Sequence, residues 1–412
     1  MTKVFVGMSG GVDSSVTALL LVRAGFNVTG VYMKNWSQDL AGMRCPWAED
    51  LADAKRVAVR LGIDLKVYDF EKDYKQRVVD YMIREYQAGR TPNPDIMCNQ
   101  EVKFKLFLET ALADGADLIA TGHYAQVDNA ITASKRSASN VEISAQTREP
   151  TSLQAGRFEN NLRLASLAEL PELTKENVQY TKAVEKLGEP RGEVARLLRA
   201  VDDKKDQTYF LYRVSSRALQ QTLFPIGHLT KPEVRALAEK HGLVTAKKPD
   251  SVGICFVGQV GLEEFLGQYI DVQPGKFIDK ATGKTVGWHK GVPFYTIGQR
   301  HGLELGGGLP YYVVDKDIAQ NLVYVSRQIN QTGLWTKQIV LGDLHWINDA
   351  PRLNSNYLIR TRHQAPLVEA VIKRFDETGL ELEPTVEQRA ITPGQSVVIY
   401  DDQVCLGGGV VV

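Results

Sequence analysis

The sequence predicts an α/β protein: an N-terminal parallel sheet with helices on both faces, a small central α+β segment and a C-terminal β-barrel. Three observations lead there. Strand and helix patterns alternate up to about residue 125, the signature of a parallel sheet wound with helices. Residues 128–193 then become rich in Ser, Ala, Asn, Thr and Glu, with only Phe158 and Tyr180 as aromatics, too few apolar groups for a separate core. From about Lys284 the pattern turns to short strands of period two, punctuated by Gly and Pro.

Taken in order, Lys3–Gly7 reads as a strand, Ser14–Ala24 as a helix and Val28–Met33 as a second strand. Glu49–Leu61 reads as a helix, Leu65–Phe70 as a strand, Lys75–Gln87 and Lys103–Asp114 as helices, and Asp117–Thr121 as a short apolar strand. Helical character returns in Lys231–Leu243. The later strands are Tyr311–Val314, Leu322–Val325, Tyr357–Arg362, Val368–Arg374 and Ser396–Tyr400. These elements suggest three units: residues 1–215 with an insertion at about 129–193, residues 216–284, and the barrel at 285–412. Ligands of such parallel sheets bind at the carboxyl ends of the strands.

The composition is that of a globular chain: 412 residues, 43% hydrophobic, 24% charged, with 49 Lys+Arg balancing 49 Asp+Glu. That balance speaks against gripping nucleic acid through bulk charge. No apolar run approaches the length of a membrane span, and the N-terminus shows neither a signal-peptide core nor an Arg/Ser-rich transit segment. Cys45, Cys98, Cys255 and Cys405 lie too far apart for a zinc ribbon or a disulfide scaffold, and reduced thiols are expected.

Three motifs carry chemistry. GMSGGVDSSV (Gly7–Val16) joins the first strand to the first helix. Gly10 and Gly11 let backbone approach an anion, the helix N-terminus offers N–H donors, and Ser9, Ser14 and Ser15 add hydroxyls. It is not a kinase-type P-loop, because no GK[ST] follows and no lysine within it reaches a phosphate. Its plain alternative is a capped Gly-rich turn. The second motif, GRTPNPDIMCNQEVKF (Gly89–Phe104), is expected to be a shaped loop because of Pro92 and Pro94, and it sets Asp95 three residues before Cys98. A carboxylate there can relay protons, and a nearby base or helix N-terminus favours a thiolate. The third, AKKPDSVGICFVG (Ala246–Gly258), places Lys247 and Lys248 upstream of Cys255, where they are expected to lower its pKa. Read singly, either cysteine also fits a structural role.

SGGVDS resembles the PP-loop of the ATP pyrophosphatases. Together with NPDIMCN, ATGHY (Ala120–Tyr124), KDQ (Lys205–Gln207), GICF, MKNW (Met33–Trp36), FPIGHLTKPEVR (Phe224–Arg235), YTIGQRHGL (Tyr295–Leu303) and TPGQ…CLGGG (Thr392–Gly409), it is similar to the set found in tRNA-specific 2-thiouridylases. The resemblance implies a Rossmann-like, adenine nucleotide alpha hydrolase-like first domain and a tRNA-binding central domain carrying Cys255. It implies ATP held by Gly7, Met8, Ser9, Gly10, Gly11, Val12, Asp13, Ser14, Met33 and Gly122, with Asp13 placing Mg²⁺ at the phosphates. Asn93, Pro94 and Asp95 would line the target-base pocket. His123, Lys205, Asp206, Gln207, Arg362, His363 and Gln395 would contact tRNA.

By the same resemblance, the wobble uridine's C2 oxygen is adenylated so that AMP can leave, and Cys255 carries sulfur as a persulfide received from a cysteine-desulfurase relay. Cys98 attacks it or assists transfer, Asp95 acts as general acid/base, and a Cys98–Cys255 disulfide results. The implied partners are tRNA and a sulfur-donor protein, with no membrane and no permanent metal, in a monomer of the bacterial cytoplasm rather than the mitochondrial matrix. A lysidine or amide-forming synthetase leaves the two cysteines unexplained, and a non-catalytic tRNA binder leaves the intact SGGVDS unexplained.

Two features depart from the family pattern: Val252 replaces a small hydroxyl residue before GIC, and the insertion is longer than usual. The zero net charge also divides by region. Residues 191–250 hold 12 Lys/Arg against 7 Asp/Glu and residues 351–374 hold 5 against 1, whereas residues 376–402 hold 1 against 7. A focused basic face for one tRNA, with salt-dependent binding, is the expectation.

Overall fold

The computed structural model describes residues 1–38, 45–130, 194–250, 262–328 and 334–412. Cys255, Val252 and residues 131–193 of the insertion therefore lie outside the described residues.

The first sheet contains β1 (Lys3–Gly7), β2 (Asn27–Lys34), β3 (Asp64–Asp69), β4 (Leu118–Ala120) and β7 (Thr222–Leu223) in the order β3-β2-β1-β4-β7, with every pairing parallel. Alternation along β1 explains why both faces are covered. Val4 and Val6 point into a core shared with α1 (Val12–Arg23), α2 (Trp47–Leu61) and the Lys231–Lys240 helix, whereas Phe5 points into the opposite core with Tyr74, Val102 and Phe107. The Lys231–Lys240 helix, expected to belong to the central segment, thus packs against α1 in the first sheet's layer. The Glu233 carboxylate accepts the Thr230 N–H at 2.7 Å and closes this helix's first turn.

One expectation is corrected. The segment read as a shaped loop at 89–104 becomes helical at Pro94 and stays so through residue 113, with π-helical turns over Cys98–Leu106. Asn93 is the reason: its side-chain oxygen accepts the N–H groups of Asp95 (3.1 Å) and Ile96 (3.4 Å). Pro94 then sits in the first turn, where its missing N–H is not needed. Proline here starts a helix instead of preventing one.

The chain flanking the insertion forms an antiparallel pair, β5 (Gln126–Ala130) with β6 (Val194–Leu198). Next, β8 (Gly275–Asp279), β9 (Thr285–His289), β10 (Tyr312–Asp317) and β11 (Leu322–Ser326) make a four-stranded sheet around Phe277, Val313, Val323 and Val325. Its last three strands come from the stretch that the sequence assigned to the barrel. The barrel is built from Ile339–Trp346, Asn356–Arg360, Val368–Asp376, Gly379–Pro384, Ser396–Asp401 and Val404–Val411, and pairing of the first with the last closes it. Gly407 permits the closure, because a Cβ there would lie 2.1 Å from the His345 carbonyl oxygen. β6 pairs with Val404 and Cys405, so the first domain is hydrogen-bonded to the barrel's edge. No described helix is long and apolar enough to cross a membrane.

Candidate active site

The loop between β1 and α1 has the geometry of an anion cradle. Gly10 has φ +74°, and a Cβ there would lie 2.2 Å from the Asp50 carbonyl oxygen, so only glycine fits. Ser14 Oγ accepts the Ser9 N–H at 3.2 Å and donates to the Gly11 carbonyl at 3.1 Å, fixing the loop on the helix. Gly11 is the N-cap of α1 and supplies no side-chain cap, which leaves first-turn donors to a ligand. Gly122, just past β4, passes so close that a Cβ would lie 2.8 Å from Ser14 N. Met33 closes the other side, its terminal methyl 3.0 Å from where a Gly7 Cβ would stand. Met8 and Val12 are buried below.

Asp13 points from α1's first turn into an ion network invisible in the sequence. Lys231 Nζ lies 2.8 Å from both Asp13 oxygens and 2.8 Å from Asp250 Oδ1. The Tyr124 hydroxyl donates to Asp13 Oδ1 at 2.8 Å. Asp250 also binds Lys205 at 2.7 Å and Arg235 at 2.9 Å. Burial pushes the Asp250 carboxyl up, but Lys205 and Lys231 outweigh it and hold it down at about 2. The loop thus has its lysine after all, delivered from 218 positions away. Lys248 donates to Asp50 (2.8 Å) and Asp53 (2.6 Å) of α2, while Cys255, on which it was expected to act, lies outside the described residues.

Cys98 occupies a different environment at the same edge of the sheet. It is 2% exposed among Tyr74, which follows the carboxyl end of β3, and apolar side chains of its own helix. Burial pushes its thiol up and the Asp95 charge adds to this, against Lys103 and Tyr74, which favour the thiolate. Desolvation of the thiolate is the largest of these influences. Asp95 Oδ1 is shielded from solvent with no hydrogen-bond partner among the described residues, and so is His363 Nδ1. The Asp95 charge acts on His363, whose ring lies 4.4 Å from that of Phe210.

The barrel brings further motif residues to this place. The strand expected to run through Arg362 stops at Arg360, so Arg362 and His363 lie on the turn beyond it. Arg362 donates to the Ala390 carbonyl at 2.6 Å. Thr91 N donates to Pro393 O at 3.0 Å, which sets Gln395 beside the segment leading to Asn93. Of the KDQ residues, Lys205 is half-exposed, Gln207 Oε1 accepts the Tyr124 N–H at 2.9 Å, and Asp206 is buried against Arg360 at 2.7 Å. His123 is also buried, its Nδ1 2.8 Å from Thr121 Oγ1 and its ring beside Phe104 and Phe224. Burial drives its pKa well below the ordinary histidine value. In this conformation Asp206 and His123 act on protein groups rather than on solvent. Cys405 is buried core and the Cys45 thiol faces the Trp36 carbonyl, in keeping with packing roles.

Sequence reasoning missed Lys231, Tyr124, Asp250 and Arg360. The first three stood inside quoted motifs, yet nothing local announces a contact made across 218 or 111 residues.

Comparison with known proteins places these features in a family. The model of the tRNA methyl transferase HUP domain matches residues 2–188 and 179–259. That of the tRNA methyl transferase PRC-barrel domain matches 263–327, and that of the aminomethyltransferase beta-barrel domain matches 336–411. The chain is 41% identical to the tRNA-specific 2-thiouridylase MnmA of Methylobacillus flagellatus over 415 residues, covering 99% of this chain and 98% of that one. It is 41% identical to the protein of the same name from Streptococcus agalactiae serotype Ia, covering 99% and 95%. A predicted subunit of tRNA methyltransferase from Methanocaldococcus jannaschii aligns at 15% identity and TM-score 0.27, over 58% of this chain and 76% of that one. By full-length identity to these curated relatives, the chain belongs to the tRNA-specific 2-thiouridylase family.

Proposed function

We propose that this protein is a tRNA-uridine 2-sulfurtransferase that thiolates the wobble uridine, position 34, in an ATP-dependent reaction. The observation that carries the reading is one sheet edge holding both an anion cradle and a cysteine beside a carboxylate with an oxygen that has no partner among the described residues. Its relatives' name supplies the substrate class.

The C2 carbonyl of uridine has a poor leaving group. Attack of its oxygen on the α-phosphorus of ATP expels pyrophosphate and turns that oxygen into part of AMP. The Gly7–Ser14 segment, with Met33 and Gly122, orients the triphosphate through backbone donors at the start of α1. A magnesium ion accompanying the nucleotide would offset charge on the phosphates. Asp13, whose carboxylate is about one-third exposed in the first turn of α1, would hold it there. Asn93, Pro94 and Asp95 border the uracil, which must leave its stack to reach them. His123, Lys205, Asp206, Gln207, Arg362, His363 and Gln395 are assigned to the tRNA side, directly or by shaping that surface.

For sulfur transfer, Cys255 carries a persulfide from a desulfurase-type donor protein. Cys98, once deprotonated, attacks the Cys255 sulfur and expels hydrosulfide, which adds at C2; AMP then departs. The Cys98–Cys255 disulfide left behind needs a two-electron thiol reductant. Asp95 serves as the proton relay. We assign the protein to the bacterial cytoplasm as a monomer.

The test is ATP-dependent formation of 2-thiouridine by wild type, Cys98→Ser and Cys255→Ser. Both variants are expected to lose turnover while keeping tRNA binding. Full activity in either one removes the sulfur relay.

A further inference from the structure

The mechanism leaves unused a cation shared between two carboxylates. Lys231 sits 2.8 Å from Asp13 at the phosphate loop and 2.8 Å from Asp250, and its side chain is only 11% exposed. Asp250 in turn holds Lys205, the first residue of KDQ, through its other oxygen at 2.7 Å. Arg235 completes the cluster on Asp250, so three cations serve two carboxylates. Each carboxylate therefore competes with the other for Lys231.

We propose that Lys231 and Asp250 are positioning residues that couple the two substrates, so that a tRNA phosphate on Lys205 and Mg·ATP at Asp13 strengthen each other's binding. This rests on the function proposed above. When an RNA phosphate draws Lys205 away, Asp250 loses a partner and pulls Lys231 toward itself. Asp13 is then released to serve the nucleotide's cation. In the reverse direction, a divalent cation at Asp13 repels Lys231 toward Asp250. Asp250 is then satisfied by Lys231 and Arg235 and gives Lys205 up. Both directions have one sign, as linkage requires. The network is about two-thirds buried at Asp13 and Asp250, so these charges are only partly screened. An exposed surface network would transmit little.

The test measures tRNA affinity with and without Mg²⁺ and an ATP analogue carrying a methylene between the α and β phosphorus atoms, which prevents pyrophosphate release. In the wild type the analogue is expected to tighten tRNA binding about fivefold or more. In Asp250→Asn both ligands still bind, but the ratio falls toward one. Lys205→Gln, at the far end of the relay, lowers the ratio as well, and it serves if Asp250→Asn proves misfolded by circular dichroism. A ratio near one in the wild type overturns the coupling while leaving the thiolation reading intact. A wild-type ratio in either folded variant also overturns it. Failure of the wild type to bind tRNA or nucleotide at all overturns both proposals.

Discussion

The phosphate-loop side and the Cys98 side of one sheet edge solve opposite problems. At the loop, Asp13, Asp250, Lys205 and Arg235 are partly open to solvent around the buried Lys231, and each charge has a partner that can be exchanged. On the other side, Cys98, His123 and the Asp206–Arg360 pair are sealed, and their charged forms are disfavoured or locked. The difference teaches how one fold separates phosphate chemistry from sulfur chemistry. Partners that exchange suit a ligand bringing its own charges, whereas a dry pocket keeps a thiol protonated until something rearranges around it.

The largest expected effect lies on the sealed side. Arg360→Leu leaves the Asp206 carboxylate buried without its cation, although Thr208 and Ala200 still donate to it. Urea denaturation should show a loss of roughly 3–5 kcal/mol. A loss near zero means that Asp206 is wet and belongs with the exchangeable cluster. Next comes the open side. Asp13→Asn keeps the fold but removes the carboxylate shared with Lys231 and Tyr124. Pyrophosphate release should drop by on the order of 10²–10³, as when one electrostatic stabiliser is removed. Unchanged release would show that Asp13 only ties Lys231 in place.

The smallest effect concerns the thiol itself. A Cys98 pKa raised by burial means less thiolate at any pH where a free thiol is partly ionised. Each unit of rise lowers the thiolate fraction about tenfold. Iodoacetamide labelling of Cys98, followed by peptide mass spectrometry, should be at least about tenfold slower than for a free thiol at pH 8. It should still be climbing above pH 9. A plateau by pH 8 would erase the contrast between the two sides.

Much of the fold was legible because it rests on short-range patterns. The alternation in Val4, Phe5 and Val6, the SGGVDS turn and the period-two strands after Lys284 each depend on neighbours within a few positions. The first helical turn at Pro94 was misread because two prolines suggest a loop, while Asn93's capping oxygen decides for a helix. The strand at Tyr357 was read two residues too long: it ends at Arg360, whose side chain is buried against Asp206. KDQ was expected to face tRNA, yet its middle residue is buried, 1% exposed. Its partner Arg360 is 154 positions distant, and no local signal reports such a pairing.

The sequence by itself determined the parallel sheet, the anion-cradling loop and the residue types available for phosphate and sulfur chemistry, because glycines, caps and hydrophobic period act locally. Only the tertiary structure decided which charges meet. Placing Lys231 between Asp13 and Asp250, and sealing Cys98 from water, required helices distant in the chain to pack on opposite faces of that sheet. Desolvation and ion pairing depend on distance in space, and the chain order does not contain it.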